Sequence, residues 1–189
     1  MLMSIPAIPI VILTGGKSKR MGGKDKAQVQ INGHRMIDIV IERVWPQCHQ
    51  IFICGPTNYG HGFALIADHP DFEGPCAGIL GAAQTLERLE PNRWYGFITV
   101  PVDGPNLPRD LARSLQGDQH ACVVARDDAG LHPTFAYWAF AGVEKARPDL
   151  PKNASLRHLA EATQARAEYW PGTHVFRNIN TPEDVEEFG

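Results

Sequence analysis

Short, near-continuous apolar runs alternate along this chain with segments of helical periodicity. Residues 8–13 form such a run and are followed at once by Gly15-Gly16, which predicts a strand buried on both faces with its carboxyl end opening into a loop. Met36, Val40 and Val44, with Ile37 and Ile41, recur at helical spacing and predict a helix over 36–44, ended by Pro46. Further strands are predicted at 51–54, stopped by Gly55-Pro56, at 64–67, leading to Asp68, and at 94–100, leading to Asp103-Gly104-Pro105. A helix over about 77–89, with Leu80, Ala83 and Leu86 facing inward, separates the last two. A short helix beginning at Pro108 and strands at 121–125 and 133–140 follow. In the final helix Thr181 suits the N-cap and Pro182 the first position, with Glu183 and Asp184 placing negative charge on the first turn.

Strand and helix repeated in this order predict an α/β fold: a three-layer, Rossmann-like open sheet, mostly parallel, with helices on both faces. The 189 residues suit a single domain over 1–189. With 18 Lys and Arg against 21 Asp and Glu, the net charge of −3 argues against nucleic-acid binding by bulk electrostatics. No apolar run approaches the ~20 residues of a membrane span. The start, Met-Leu-Met-Ser-Ile-Pro, lacks the basic segment and cleavage site of a signal peptide, so a cytoplasmic protein without a membrane partner is expected. Cys48, Cys54, Cys76 and Cys122 stand far apart with no C-x-x-C, which argues against a disulfide framework or a structural zinc site.

In open α/β sheets ligands sit at the carboxyl ends of strands, and three unusual segments fall there. Leu13-Thr14-Gly15-Gly16-Lys17-Ser18-Lys19-Arg20-Met21-Gly22-Gly23-Lys24-Asp25-Lys26 holds four glycines and five basic residues against one acid. Glycines let backbone N–H groups approach an anion, and Arg20 and Lys26 can neutralise phosphate oxygens. The segment is neither a Walker A loop nor G-x-G-x-x-G; the alternative is a basic surface loop. Asp103 is placed as a one-point Mg²⁺ ligand facing a polyphosphate, the alternative being a turn cap before Pro105. Asp68, followed by Gly74-Pro75-Cys76-Ala77-Gly78-Ile79, can accept hydrogen bonds from a base or sugar admitted by small residues; the alternative is tight helix–sheet packing. The aromatic group Phe135, Tyr137, Trp138 and Phe140 suits the core, and His132 suits a positional role.

Together these segments resemble the molybdenum cofactor guanylyltransferases, within the nucleotidyltransferase fold of the nucleotide-diphospho-sugar transferases. The glycine-rich signature carries the resemblance. Gly74-Pro75-Cys76-Ala77-Gly78-Ile79, Asp103-Gly104-Pro105, His132-Pro133-Thr134 and Asn178-Ile179-Asn180-Thr181-Pro182-Glu183-Asp184 follow in family order over nearly the whole chain. The resemblance implies transfer of GMP from Mg-GTP to the terminal phosphate of Mo-molybdopterin, releasing pyrophosphate, with molybdoenzymes or cofactor-delivery proteins as further partners. It implies nucleotide contacts at Leu13, Thr14, Gly15, Gly16, Lys26, Asp68, Gly78 and Asp103, with Arg20, Lys26 and Asp103 catalytic and Asp103 holding Mg²⁺. Asn178 and Asn180 fall on the pterin side. Arg157 is a further candidate there, although Ser155 also suits an ordinary helix N-cap.

Three positions depart from the family's usual pattern: Thr14 stands where alanine is usual, Cys54 where asparagine is frequent, and Val102 where a cysteine often precedes the aspartate, a swap that leaves the Asp103 ligand intact. A thiol lacks the paired donor and acceptor of an amide. The sister cytidylyltransferases usually read Leu-Ala-Ala-Gly at residues 13–16, and the missing β-carbon at Gly15 favours a purine instead. A non-catalytic nucleotide-binding protein that delivers cofactor is a rival of another class, disfavoured because binding alone does not require both Lys26 and Asp103.

Overall fold

The computed structural model of the chain describes residues 8–15 and 25–188. A seven-stranded sheet forms its centre: β1 (Pro9–Leu13), β4 (Gln50–Cys54), β5 (Ala64–Ile66), β6 (Gly96–Pro101), β7 (Val123–Asp127), β8 (Gly130–Ala139) and β9 (Arg166–Tyr169). The spatial order is β5-β4-β1-β6-β8-β7-β9. All strands run parallel except β8, which is antiparallel to both β6 and β7. A two-stranded hairpin, β2 (Gln30–Ile31) and β3 (His34–Arg35), lies apart from this sheet.

Burial explains the strands. Ile10, Val11 and Ile12 of β1 and Phe97, Ile98 and Val100 of β6 are fully buried, as expected where both faces of a parallel sheet are covered. From β1 the chain crosses to β4 on one side, through α1 (Met36–Val44), and later returns through α2 (Gly74–Leu89) to β6 on the other. Right-handed crossovers in opposite directions put α1 and α2 on opposite faces. The helices α4 (Phe140–Ala146) and α5 (Leu156–Ala162) pack with α2, and α3 (Leu111–Leu115) packs against the turn that follows α1. The last helix, α6 (Pro182–Phe188), reaches the β2–β3 hairpin, where Ile31, Met36 and Ile179 form a small second core.

Reversal of the strand order at β1 creates the switch point where open α/β sheets bind ligands. The carboxyl ends of β5, β4, β1 and β6 lie side by side there, with Leu13 level with Cys54 on one side and Pro101 on the other. The three-layer, mostly parallel fold expected from the alternation is the one found.

Details differ. Pro108 begins a turn, closed by the Leu111 N–H donating to its carbonyl at 3.3 Å, and the helix starts only at Leu111. The buried Gln47 caps that helix, accepting from the Ala112 N–H at 3.1 Å. The strand predicted at 121–125 runs Val123–Asp127, and the one predicted at 133–140 runs Gly130–Ala139. Residue 140 instead opens α4. The helix predicted from about 77 begins at Gly74, whose φ of +66° suits a residue without a β-carbon. Unpredicted were β9, α4, and the β2–β3 hairpin with its Asn32-Gly33 turn.

Candidate functional site: a cavity at the strand ends

The segments leaving the parallel strands are tied to one another before any side-chain chemistry begins. The Thr14 N–H donates to the Cys54 carbonyl at 3.0 Å, and the Thr14 hydroxyl donates to the same oxygen at 3.2 Å. Glycine at position 55 makes this possible, because a β-carbon there would overlap that hydroxyl. On the other side of β1 the Val102 N–H donates to the Leu13 carbonyl at 3.0 Å. The Ile179 N–H donates to the Asp103 carbonyl at 2.7 Å, so the segment before α6 is pinned alongside Asp103. At the far end, His69 N–H donates to the Ala77 carbonyl at 2.9 Å, seating the exit of β5 on α2.

These exits enclose a cavity of about 870 Å³, within the range of small-molecule sites. Leu13, Thr14, Gly15, Lys26, Asp68, Gly78, Asp103, Asn178 and Asn180 all line it. Lys26 begins a 3₁₀ turn capped by Asp25, whose carboxylate accepts from the Ala27 N–H at 3.0 Å. Its ammonium lies 2.6 Å from Asp103 Oδ2 and 2.6 Å from Asn180 Oδ1. Lys26 and Asp103 are largely buried, at 18% and 16% side-chain exposure, so their attraction is less screened than that of a surface pair. At the opposite end of the cavity Cys54 donates toward Asp68 Oδ1 at 3.6 Å. Burial and the adjacent Asp68 charge push the Cys54 thiol up to about 12, so it stays protonated at neutral pH.

A sequence profile of the family described as the MobA-like NTP transferase domain matches residues 10–168. The chain belongs to this family. It is 34% identical to the molybdenum cofactor guanylyltransferase of Rhodopseudomonas palustris strain BisB5, covering 96% of this chain and 92% of that relative. It is also 34% identical to the molybdenum cofactor guanylyltransferase of Nitrobacter hamburgensis, covering 99% and 95%. The crystal structure of molybdopterin-guanine dinucleotide biosynthesis protein A from Archaeoglobus fulgidus shares the fold at a TM-score of 0.71 and 21% identity, over 95% of this chain and 96% of that one.

In this MobA-like NTP transferase the residues predicted from sequence do not all reach the cavity. Gly16 and Arg20 lie outside the described residues. Arg157 is exposed on α5 and is not among the cavity-lining residues; Leu156 beside it is. Ser155 is the N-cap of α5, accepting from the His158 N–H at 3.1 Å. His132 sits beneath the wall rather than in it, 2.7 Å from the buried Asp127 Oδ1, while its neighbour Thr134 lines the cavity. Burial pushes Asp127 up, but bonds from His132 and the Ala129 N–H outweigh it and hold the carboxyl below its ordinary range.

The segment carrying Asn178 and Asn180 is anchored twice. Phe176 inserts among His132, Phe135 and Trp170 at ring-centroid distances of 4.9–5.2 Å. Thr181 and Asp184 then form a capping box: Thr181 Oγ1 accepts from the Asp184 N–H at 3.2 Å, and the Asp184 carboxylate accepts from the Asn180 and Thr181 N–H groups at 2.9 Å. Sequence reasoning placed the cap at Thr181 but missed that it steadies Asn180, and it missed the role of Gly55. A glycine following a strand gives no sign that a neighbouring threonine hydroxyl fills its missing side chain.

Proposed function

We propose that the chain is a molybdenum cofactor guanylyltransferase, transferring GMP from Mg-GTP to the terminal phosphate of Mo-molybdopterin. One observation carries this reading: Leu13, Gly15, Lys26, Asp68 and Asp103 converge on one cavity in a chain similar over nearly its full length to proteins of that name. A phosphate oxygen of the acceptor attacks the α-phosphorus, a new P–O–P bridge forms, and pyrophosphate leaves with the electrons of the broken bond. Such a reaction needs positioning and charge neutralisation more than a covalent nucleophile.

The backbone at Leu13 to Gly15 holds the nucleoside beside β1. Asp68, a carboxylate at the end remote from Lys26, accepts from the adjacent N1–H and N2–H donors of guanine. Lys26 binds phosphate and offsets charge developing on the leaving pyrophosphate, joined in this reading by Arg20 and the backbone of Gly16. Asn178, whose Oδ1 is buried without a hydrogen-bond partner among the described residues, and Asn180 line the pterin side.

A Mg²⁺ ion fits the donor set. Among the described residues no three carboxylate, His or Cys side chains gather as a cage. A single carboxylate, Asp103, suits a cation that takes most of its ligands from phosphate oxygens and water. When bound, the ion supplies Lewis-acid neutralisation of the phosphates. Among the described residues no helix is long and apolar enough to cross a membrane. The four cysteines are free and buried, as suits a reducing compartment such as the cytoplasm. Molybdoenzymes or cofactor-delivery proteins are the expected recipients of the product.

Titration calorimetry with GTP and with CTP, each with Mg²⁺, tests the reading. Tight GTP binding that Asp103→Ala weakens, with little CTP binding, supports it. A preference for CTP assigns the chain to cytidylyl transfer, and binding of neither removes the nucleotide site altogether.

A further inference from the structure

Cys54 stands where an asparagine amide could have touched a base directly, and a thiol cannot do the same work. Its geometry gives it another task. The thiol ends β4 and is 5% exposed, and it lies 3.6 Å from Asp68 Oδ1. Asp68 is exposed toward the cavity, and among the described residues this is the one hydrogen bond on its carboxylate. The first turns of α2 close over both groups at Gly78, where a β-carbon would lie 3.0 Å from Cys54 Sγ and 3.4 Å from Asp68 Oδ1. Glycine there leaves the pair room to meet. Because burial keeps the thiol protonated, it acts as a donor and not as a thiolate.

We propose that Cys54 is a positioning residue that aims the Asp68 carboxylate for a base presenting two adjacent N–H donors, and thereby sets the preference for guanine. The proposal deepens the guanylyltransferase reading and rests on it. A carboxylate at an exposed position rotates about its Cβ–Cγ bond and presents its lone pairs in many directions. The thiol takes one lone pair of Oδ1 and fixes that rotation, and as a weak donor it leaves the negative charge nearly intact. The second lone pair of Oδ1 and those of Oδ2 then face the base. Guanine offers N1–H beside N2–H and fits both. Hypoxanthine offers N1–H alone, and cytosine sets an acceptor nitrogen beside its amino group, which faces a carboxylate unfavourably. The discrimination therefore depends on the angle of the carboxylate as well as on its presence.

Equilibrium titrations of the full chain with GTP, ITP and CTP in the presence of Mg²⁺ test this, using Cys54→Ala, Cys54→Val and Cys54→Ser, each checked by thermal melting. The wild type is expected to bind GTP at least about tenfold more tightly than ITP. Removing the donor with Ala or Val narrows the GTP-over-ITP ratio by about three- to fivefold, whereas Ser, which keeps a donor, holds it within about twofold. Ala and Val differ in volume, so either folded variant decides. Asp68→Asn provides a second measurement: its amide presents a donor, so preference moves from GTP toward XTP, whose O2 accepts. A wild type that prefers GTP with a ratio unmoved in a folded donor-less variant overturns the proposal and leaves the guanylyltransferase reading standing. A wild type that prefers CTP overturns both.

Discussion

Lys26 and Asp103 are 77 residues apart in sequence and their charged groups are 2.6 Å apart in space. Lys26 reaches there from the turn after the glycine-rich segment, and Asp103 from the end of β6, on the far side of β1. Asn180 supplies a second acceptor to the same ammonium, also at 2.6 Å. An ammonium has three donors, so with Asp103 and Asn180 holding two, one remains for a phosphate oxygen. The pair thus fixes a cation's position through groups that are themselves fixed by backbone hydrogen bonds.

Lys26→Ala removes a charge that matters most as negative charge builds on the leaving group. Turnover is expected to fall about 100- to 1000-fold, as when a single transition-state donor is lost. Nucleotide affinity, shared among the β1 backbone and Asp68, falls less than about tenfold. Steady-state rates set beside calorimetric affinities for the same variant check the split. Retained turnover would remove Lys26 from the chemistry.

Asp103→Asn keeps the shape of the side chain and removes its charge. The amide is a poor Mg²⁺ ligand, and Lys26 loses its carboxylate partner. The expected result is that Mg²⁺ no longer strengthens GTP binding, measured as the ratio of GTP affinities with the ion and with EDTA. In the wild type that ratio is expected to exceed about tenfold; in the variant it approaches one.

Asp103 was legible in the sequence because parallel strands buried on two faces are written as apolar runs whose ends can be counted, and Lys26 as the last basic residue of the glycine-rich segment. Leu13 ends such a run and Asp103 follows another, Asp68 follows the short edge strand β5, and all three line the cavity. Part of what escaped had no apolar signature. β9 reads Arg-Ala-Glu-Tyr, an edge strand with its side chains largely outward, paired in parallel to β7. The β2–β3 hairpin did carry a signal, Asn32-Gly33, both residues at positive φ as a tight two-residue turn requires. The link from Asn180 to Lys26 spans 154 residues and is set by the packing of Phe176 and the cap of α6, which no local pattern encodes.

Thr14 and Gly55 make a pair whose coupling can be measured. The Thr14 hydroxyl occupies the space in which a β-carbon at position 55 would lie, so Gly55→Ala forces a collision or breaks the bond to the Cys54 carbonyl. Overpacking of this kind costs about 1–3 kcal/mol. Thr14→Ala alone loses one hydrogen bond, about 0.5–1.5 kcal/mol. In the double variant the collision is relieved, so the combined loss is expected to fall short of the sum by about 1 kcal/mol or more. Urea unfolding of the four proteins gives the cycle, and strict additivity would show that the two positions do not share this space.

Asp184 lies outside the cavity yet governs one of its walls. The N–H of Asn180 holds its carboxyl down to about 2, from an ordinary 3.8, with Arg177 and Thr181 adding to the effect against the opposing influence of burial. A carboxylate whose folded-state pKa is depressed stabilises the fold fully above its unfolded value and loses that contribution as pH falls through the folded one. Asp184→Asn is therefore expected to lower stability by about 1 kcal/mol at neutral pH, a typical cost for a damaged helix cap. The gap between wild type and variant holds down to roughly pH 4 and closes toward pH 2, which urea midpoints across that range will show. Because the same carboxylate holds the Asn180 N–H, the loosened cap also frees the amide that accepts from Lys26. Activity in the variant is expected to fall with a rise in KM for the acceptor. Restoring a carboxylate with Asp184→Glu recovers part of the stability, and a gap that persists unchanged at pH 2 would show that shape, not charge, is what the position supplies.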